Sequence, residues 1–243
     1  MDTGRAVPGP AREASQFDLM RERRFAPFFW TQFLGAANDN VFKNALVIFV
    51  AFQAAGMTSM DPNTLVNLAG AVFIAPFMLL SAMGGQLADK FEKSRLIRAI
   101  KLFEIAIMVV GLAGFWMRDL ATLFAALALM GVHSTLFGPV KYAILPQHLK
   151  PEELVGGNGL VEMGTFVAIL AGTIAGGLVV GTGPNGPLWA GALAIAIAVA
   201  GWFASRAIPE TPAVDPNLAL AWNPFTETWR NLVFASRNRV VWL

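Results

Sequence analysis

LVNLAGAVFIAPFMLLSAMGGQL, residues Leu65–Leu87, carries no charged side chain from end to end. At about 1.5 Å per residue, a helix over this run crosses the roughly 30 Å hydrocarbon core of a bilayer. Outward from it, five further stretches qualify or nearly do: Pro27–Ala55, Leu96–Met117, Leu120–Leu145, Gly157–Val180 and Pro187–Ile208. Helix breakers punctuate their ends, with Asp61-Pro62-Asn63 after the first and the run Gly181 to Pro187 between the last two. Apolar residues do not alternate with a period of two, which argues against a β-barrel. The expectation is an all-α, polytopic membrane helix bundle of six transmembrane helices within residues 25–208.

Composition points the same way. Hydrophobic residues make up 56% of the 243 positions and charged residues only 14%, whereas a soluble domain carries about 25%. The bulk of this surface must therefore face lipid. A net charge of +2 does not imply nucleic acid, because the basic residues lie between the apolar runs and not in a stripe interleaved with aromatics. The absence of cysteine and the isolation of His133 and His148 leave no expected metal centre, disulfide or cofactor.

Lysine and arginine alternate along the connections. Arg5, Arg12, Arg21, Arg23 and Arg24 precede the first span, Lys90, Lys93, Arg95 and Arg98 follow the second, and Lys141 and Lys150 follow the fourth. Arg206, Arg230, Arg237 and Arg239 come after the sixth, while the intervening connections hold only Arg118. The positive-inside rule then puts both ends in the cytoplasm. Residues 1–24 have no apolar core of a cleaved signal and read as a flexible cytoplasmic tail. Residues 209–238, rich in proline, read as a linker in which Phe225, Trp229, Leu232 and Val233 fall at the spacing of an interfacial amphipathic helix. Residues 239–243 read as the start of a seventh helix in a longer protein.

Ionisable residues inside spanning helices cost roughly 2.5–3.5 kcal/mol each on insertion and are functional candidates. The first span holds Gln32, Asn38, Asp39, Asn40, Lys43 and Asn44. At 100° per residue, all but Asn38 fall within about 140° of one another, with Ala36 on the same face. This stripe is expected to line a substrate cavity. Asp39 and Lys43, at i and i+4, can instead neutralise each other as helix glue. In the third span, Arg98 and Lys101 are near enough to the end to snorkel. Glu104 lies too deep to do so and needs a partner, Lys101 being the nearest by spacing; a cavity-facing or proton-carrying role is the alternative. In the fourth span, Ser134 and Lys141 share a face, Pro139 is expected to kink the helix, and His133 reads as a hydrogen-bonded interior residue. Gly164, Gly172, Gly176, Gly177 and Gly181 mark the fifth span as a close-packing surface, and Glu162 reads as a charge at its entry.

Gly85-Gln86-Leu87-Ala88-Asp89-Lys90-Phe91-Glu92-Lys93-Ser94-Arg95 resembles the signature G-x-x-x-D-[RK]-x-G-[RK]-[RK] of the major facilitator superfamily. Gly85, Asp89, Lys90 and Lys93 match; Glu92 stands at the second glycine and Ser94 replaces a base. Three further stretches are similar to the bacterial lysophospholipid transporter branch: Gly35 to Lys43, Phe137 to Pro146 and Gly156 to Glu162. In other members this membrane domain is fused to acyltransferase or acyl-ligase domains. The resemblance implies the N-terminal half of a major facilitator fold, completed by a C-terminal six-helix half. It implies a lysophospholipid substrate carried from the outer to the inner leaflet of the bacterial inner membrane, and Asp89, Lys90 and Lys93, with Pro139, acting in gating. The residues expected at the substrate are Gln32, Asp39, Asn40, Lys43, Asn44, Glu104, Ser134 and Lys141. A proton-coupled exporter of another small molecule and the membrane domain of a fused acyltransferase stand as alternatives. The chain carries no H-x-x-x-x-D acyltransferase motif, so no catalytic residue is expected within it.

Overall fold

The computed structural model describes residues 15–53 and 57–221, together with residues 223, 229, 233 and 236. Six long helices carry the fold: α1 Ala26–Gln53, α2 Pro62–Lys90, α3 Lys93–Met117, α4 Leu120–Ala143, α6 Leu154–Val180 and α7 Gly186–Arg206; a four-residue helix, α5 Leu145–His148, links α4 to α6. Their starts follow local chemistry. The carboxylates of Asp61, Glu92 and Asp119 each accept hydrogen bonds from free backbone N–H groups in the first turns of α2, α3 and α4. Glu92 captures the amides of Ser94 and Arg95, which is why α3 begins at Lys93 and not at the edge of the apolar run.

Going round the bundle, α2 packs on α4, α4 on α3, α3 on α7 and α7 on α6; α1 closes the ring against α6, α7 and α2. Four of the helices, α2, α4, α6 and α7, are long and apolar enough to cross a membrane on their own. The other two, α1 and α3, hold Asp39, Lys43, Lys101 and Glu104 within the bundle. The chain is a multi-pass membrane protein. Apolar residues four apart on α6, Phe166, Leu170, Ile174 and Leu178, lie exposed along one outer face, as lipid contact requires.

Lipid offers no hydrophobic drive for helix association, so close backbone approach has to supply the contact energy. At Gly172 an added Cβ would come within 2.3 Å of the Ala37 carbonyl oxygen, and at Gly176 within 2.7 Å of that of Val41. The glycine-marked face of α6 is thus the face that grips α1. The main core joins Val41, Phe42, Leu46 and Phe49 to Ile107, Met108, Leu127 and Met130.

At the end of the bundle that bears the basic connections, residues 15–24 are seated on the helices. Gln16–Arg21 form a 3-10 helix with Leu19 buried, and Arg24 binds Glu153 through two nitrogens at 2.6 and 2.8 Å. The segment after α7 crosses the same end. Thr211 is held by Glu92 at 2.7 Å and by His148 Nε2 at 2.6 Å, and the Val214 and Asp215 amides donate to the Asp89 carbonyl. In the expected amphipathic helix, Trp229 and Val233 are helical. Phe225, Leu232, residues 1–14 and residues 239–243 lie outside the described residues.

Candidate functional site

A cavity of about 260 Å³ opens between α1, α2, α3, α4 and α6. Its polar wall is Gln32 and Asp39 from α1, Lys101 from α3, His133, Ser134 and Lys141 from α4, and Thr165 from α6. Phe77 and Phe137 supply apolar surface beside them. Asp39 accepts a hydrogen bond from Ser134 Oγ at 2.7 Å through one oxygen, and its other oxygen, Oδ1, has no protein partner. Lys141 is already paired: its ammonium lies 3.2 Å from Glu162 Oε1 and donates to Thr165 Oγ1 at 2.9 Å. Tyr142 donates to the same Glu162 oxygen at 2.6 Å. Glu162 is therefore the anchor of this ion pair, beyond the helix-entry role the sequence assigns it.

Behind the cavity lies a fully buried polar cluster. Lys101 contacts the Glu104 carboxylate directly, His133 Nε2 lies 3.3 Å from the same oxygen, and Asn38 Nδ2 donates to the other at 2.7 Å. Side-chain exposure is 1% for Lys101 and nil for Glu104. Charges this deep survive only in pairs, since an isolated one costs several kcal/mol. Lys101 does not snorkel as its position near the start of α3 implies. Gly35 of α1 and Gly201 of α7 enclose it, and an added Cβ at Gly201 would meet its Cε at 2.9 Å. Asn38, which the helical projection sets off the polar stripe, is a partner of Glu104, whose carboxylate reaches it from α3.

The polar stripe of α1 divides. Gln32 and Asp39 line the cavity. Asn44 turns to α6 and donates to the Thr173 carbonyl at 2.7 Å, while Asn40 bonds its own helix at Ala36. Lys43 points toward α2, its ammonium 4.4 Å from the centre of the Phe73 ring. The alternative of a mutually neutralising Asp39–Lys43 pair is not seen as a direct ion pair: the two side chains make their closest polar contacts elsewhere, although Lys43 still exerts a Coulombic pull on Asp39. Of the other expected residues, Ser134 and Lys141 join the cavity, whereas Glu104 stands behind it. Lys101, His133 and Thr165 are additions that spacing along single helices does not reveal.

The residues expected to gate lie at the basic end. Asp89 is exposed, Lys90 donates to the Leu218 carbonyl at 2.7 Å, and Lys93 is buried beneath Pro212. Burial pushes the Lys93 ammonium below its ordinary pKa, against the opposing pull of Asp89 and Glu92. Pro139 has no N–H to give the Thr135 carbonyl one turn back. That freed oxygen faces α2 at Gly84, where an added Cβ would come within 2.8 Å of it.

This fold has known counterparts. A peptide transporter POT shares it with a TM-score of 0.60 at 23% identity, over 97% of this chain and 46% of that one. A bacterial homologue of the iron transporter ferroportin, in an outward-facing state, matches with a TM-score of 0.56 at 17% identity, over 79% of this chain and 52% of that one. The sequence model of the Major Facilitator Superfamily matches residues 27–243, and the chain belongs to that superfamily. Among curated relatives, the lysophospholipid transporter LplT of Serratia proteamaculans is 32% identical over 193 residues, 79% of this chain and 44% of that protein. Those of Cronobacter sakazakii and Salmonella heidelberg are 30% and 31% identical, each over 82% of this chain and 46% and 48% of theirs. The chain spans about half the length of the curated relatives it matches.

Proposed function

We propose that this chain forms the first half of a secondary transporter that carries lysophospholipids from the outer to the inner leaflet of the bacterial inner membrane. The observation that carries the reading is Asp39: a carboxylate in the wall of a cavity inside a membrane bundle, with one oxygen on Ser134 and the other buried without a hydrogen-bond partner. A membrane-embedded acid with no direct ion pair among the described residues is a candidate for the substrate path, and a headgroup ammonium is the complement it calls for. The relatives named as lysophospholipid transporters support the substrate class. Both ends of the chain lie in the cytoplasm, a second six-helix half completes the cavity, and alternating access between the halves moves the headgroup while the acyl chain stays on apolar helix surface. Asp89, Lys90 and Lys93 act at the cytoplasmic gate together with the strap of residues 211–221.

A second reading has an observation of its own. The buried set Lys101, Glu104 and His133 beside Asp39 is suited to proton coupling. Spheroplasts carrying the intact protein, given labelled lysophosphatidylethanolamine in the outer leaflet, test both. Transfer to the inner side without a proton gradient supports the first reading, transfer abolished by a protonophore supports coupling, and no transfer despite correct insertion overturns the lysolipid assignment.

A further inference from the structure

A second cavity, of about 250 Å³, lies further along the same α1 stripe, between α1, α2 and α4. Leu46 and Val47 of α1, Val66 and Ile74 of α2 and Leu127 of α4 make it apolar, and Lys43 is the one charged group in its wall. Three lysines lie inside the bundle among the described residues. Lys101 has Glu104 and Lys141 has Glu162, but Lys43 makes no direct ion pair and rests on the face of Phe73, with Asp39 one turn away feeling its charge. An aromatic ring is worth about 0.5–2 kcal/mol to a cation, less than the cost of holding that cation in the membrane. Among the described residues, no carboxylate forms an ion pair with Lys43.

Asp39 presents the mirror image: a carboxylate with no direct ion pair, whose Oδ1 has no hydrogen-bond partner among the described residues. The two residues are one turn apart on α1, about 6 Å along the axis, yet they face different cavities. From this separation we propose that the Lys43 cavity binds the phosphate and the adjoining acyl chain of a single-chain phospholipid. The inference rests on the lysolipid reading above and deepens it. The ammonium of an ethanolamine headgroup meets Asp39, and its phosphodiester, a two-carbon bridge away, meets Lys43. The chain then runs over Val47, Val66 and Ile74. Asp39 is drawn to Ser134 and Lys43 to Phe73, so the two form no direct ion pair and both remain available to a zwitterion. Lys101 and Lys141 do not compete for the phosphate, since each already has its carboxylate.

Equilibrium binding to the intact protein in nanodiscs tests this with three probes: lysophosphatidylethanolamine, dodecyl phosphate and an uncharged monoacylglycerol. A charge-assisted contact of ~1.5–3 kcal/mol corresponds to about ten- to a hundredfold in affinity. Dodecyl phosphate should bind the wild type at least about tenfold more tightly than monoacylglycerol. Lys43→Gln should abolish that preference, and Lys43→Arg should restore most of it, which separates lost charge from lost folding. Equal binding of dodecyl phosphate to the wild type and Lys43→Gln would overturn the site, as would equal affinity of the wild type for the charged and uncharged probes. Lys43-dependent binding of dodecyl phosphate with no binding of lysophosphatidylethanolamine would keep the anion site and refute the lysolipid reading instead.

Discussion

The ammonium of Lys101 rests against the carboxylate of Glu104 in a place where neither side chain reaches solvent. The contact ties the third and fourth turns of α3 to each other, and through Asn38 and His133 it ties α3 to α1 and α4. It gathers Lys101, Glu104, His133 and Asn38 into one buried polar cluster.

Breaking this pair from one side strands a buried charge. Glu104→Gln keeps the shape but leaves Lys101 without a counter-ion, and removal of one partner of a buried pair costs about 3–5 kcal/mol. The thermal unfolding midpoint of the detergent-solubilised protein should fall sharply for Glu104→Gln. The double variant Lys101→Met with Glu104→Gln should recover most of the loss. A single variant as stable as the wild type would remove the pair from its central place.

Two glycines of one helix should respond in opposite directions. At Gly172 a Cβ would meet the Ala37 carbonyl oxygen at 2.3 Å, while at Gly159 nothing lies within 4 Å. Gly172→Ala has to push α6 off α1 and should cost about 1–3 kcal/mol. Gly159→Ala, on an exposed helical position, should be neutral or stabilising by up to about 1 kcal/mol. Comparison of the two unfolding midpoints checks this.

The strap of residues 211–221 should loosen in acid. Burial pushes the Glu92 carboxyl up, but hydrogen bonds from the amides of Thr211, Ser94 and Arg95 and from the Ser94 hydroxyl outweigh it and hold the group below the ordinary carboxylate range. A depressed carboxylate contributes fully above its unfolded pKa, about 4.3, and its contribution is lost as pH falls through the lower folded value. Exchange of the Thr211 amide should therefore stay slow near neutral pH and become protected less strongly below about pH 4, relative to amides in the core of α4. Glu92→Gln should show weakened protection already at neutral pH.

Much of the fold can be read from single helices. Leu65–Leu87 falls within observed α2, and Asp61-Pro62 and Asp119 begin helices as capping chemistry dictates. The site is only half legible in this way. Projection of α1 groups Gln32, Asp39 and Lys43 on one face, and all three do line cavities. It does not reveal that α2 and α4 both abut that face and draw Lys43 to one side and Asp39 to the other. Lys101 is misread for a similar reason: distance from the helix end favours snorkelling, but Gly35 and Gly201, far apart in sequence, close over the side chain. Pairings such as Lys141 with Glu162 depend on the neighbour chosen by packing, which spacing within one helix does not encode.

The most direct test of the account is the rate at which labelled lysophosphatidylethanolamine moves from the outer to the inner leaflet in spheroplasts, for the wild type and for Asp39→Asn at equal membrane abundance. Loss of a charge-assisted contact worth ~1.5–3 kcal/mol should slow transfer about ten- to a hundredfold. Transfer by Asp39→Asn at the wild-type rate would contradict the claim that the Asp39 carboxylate receives the headgroup.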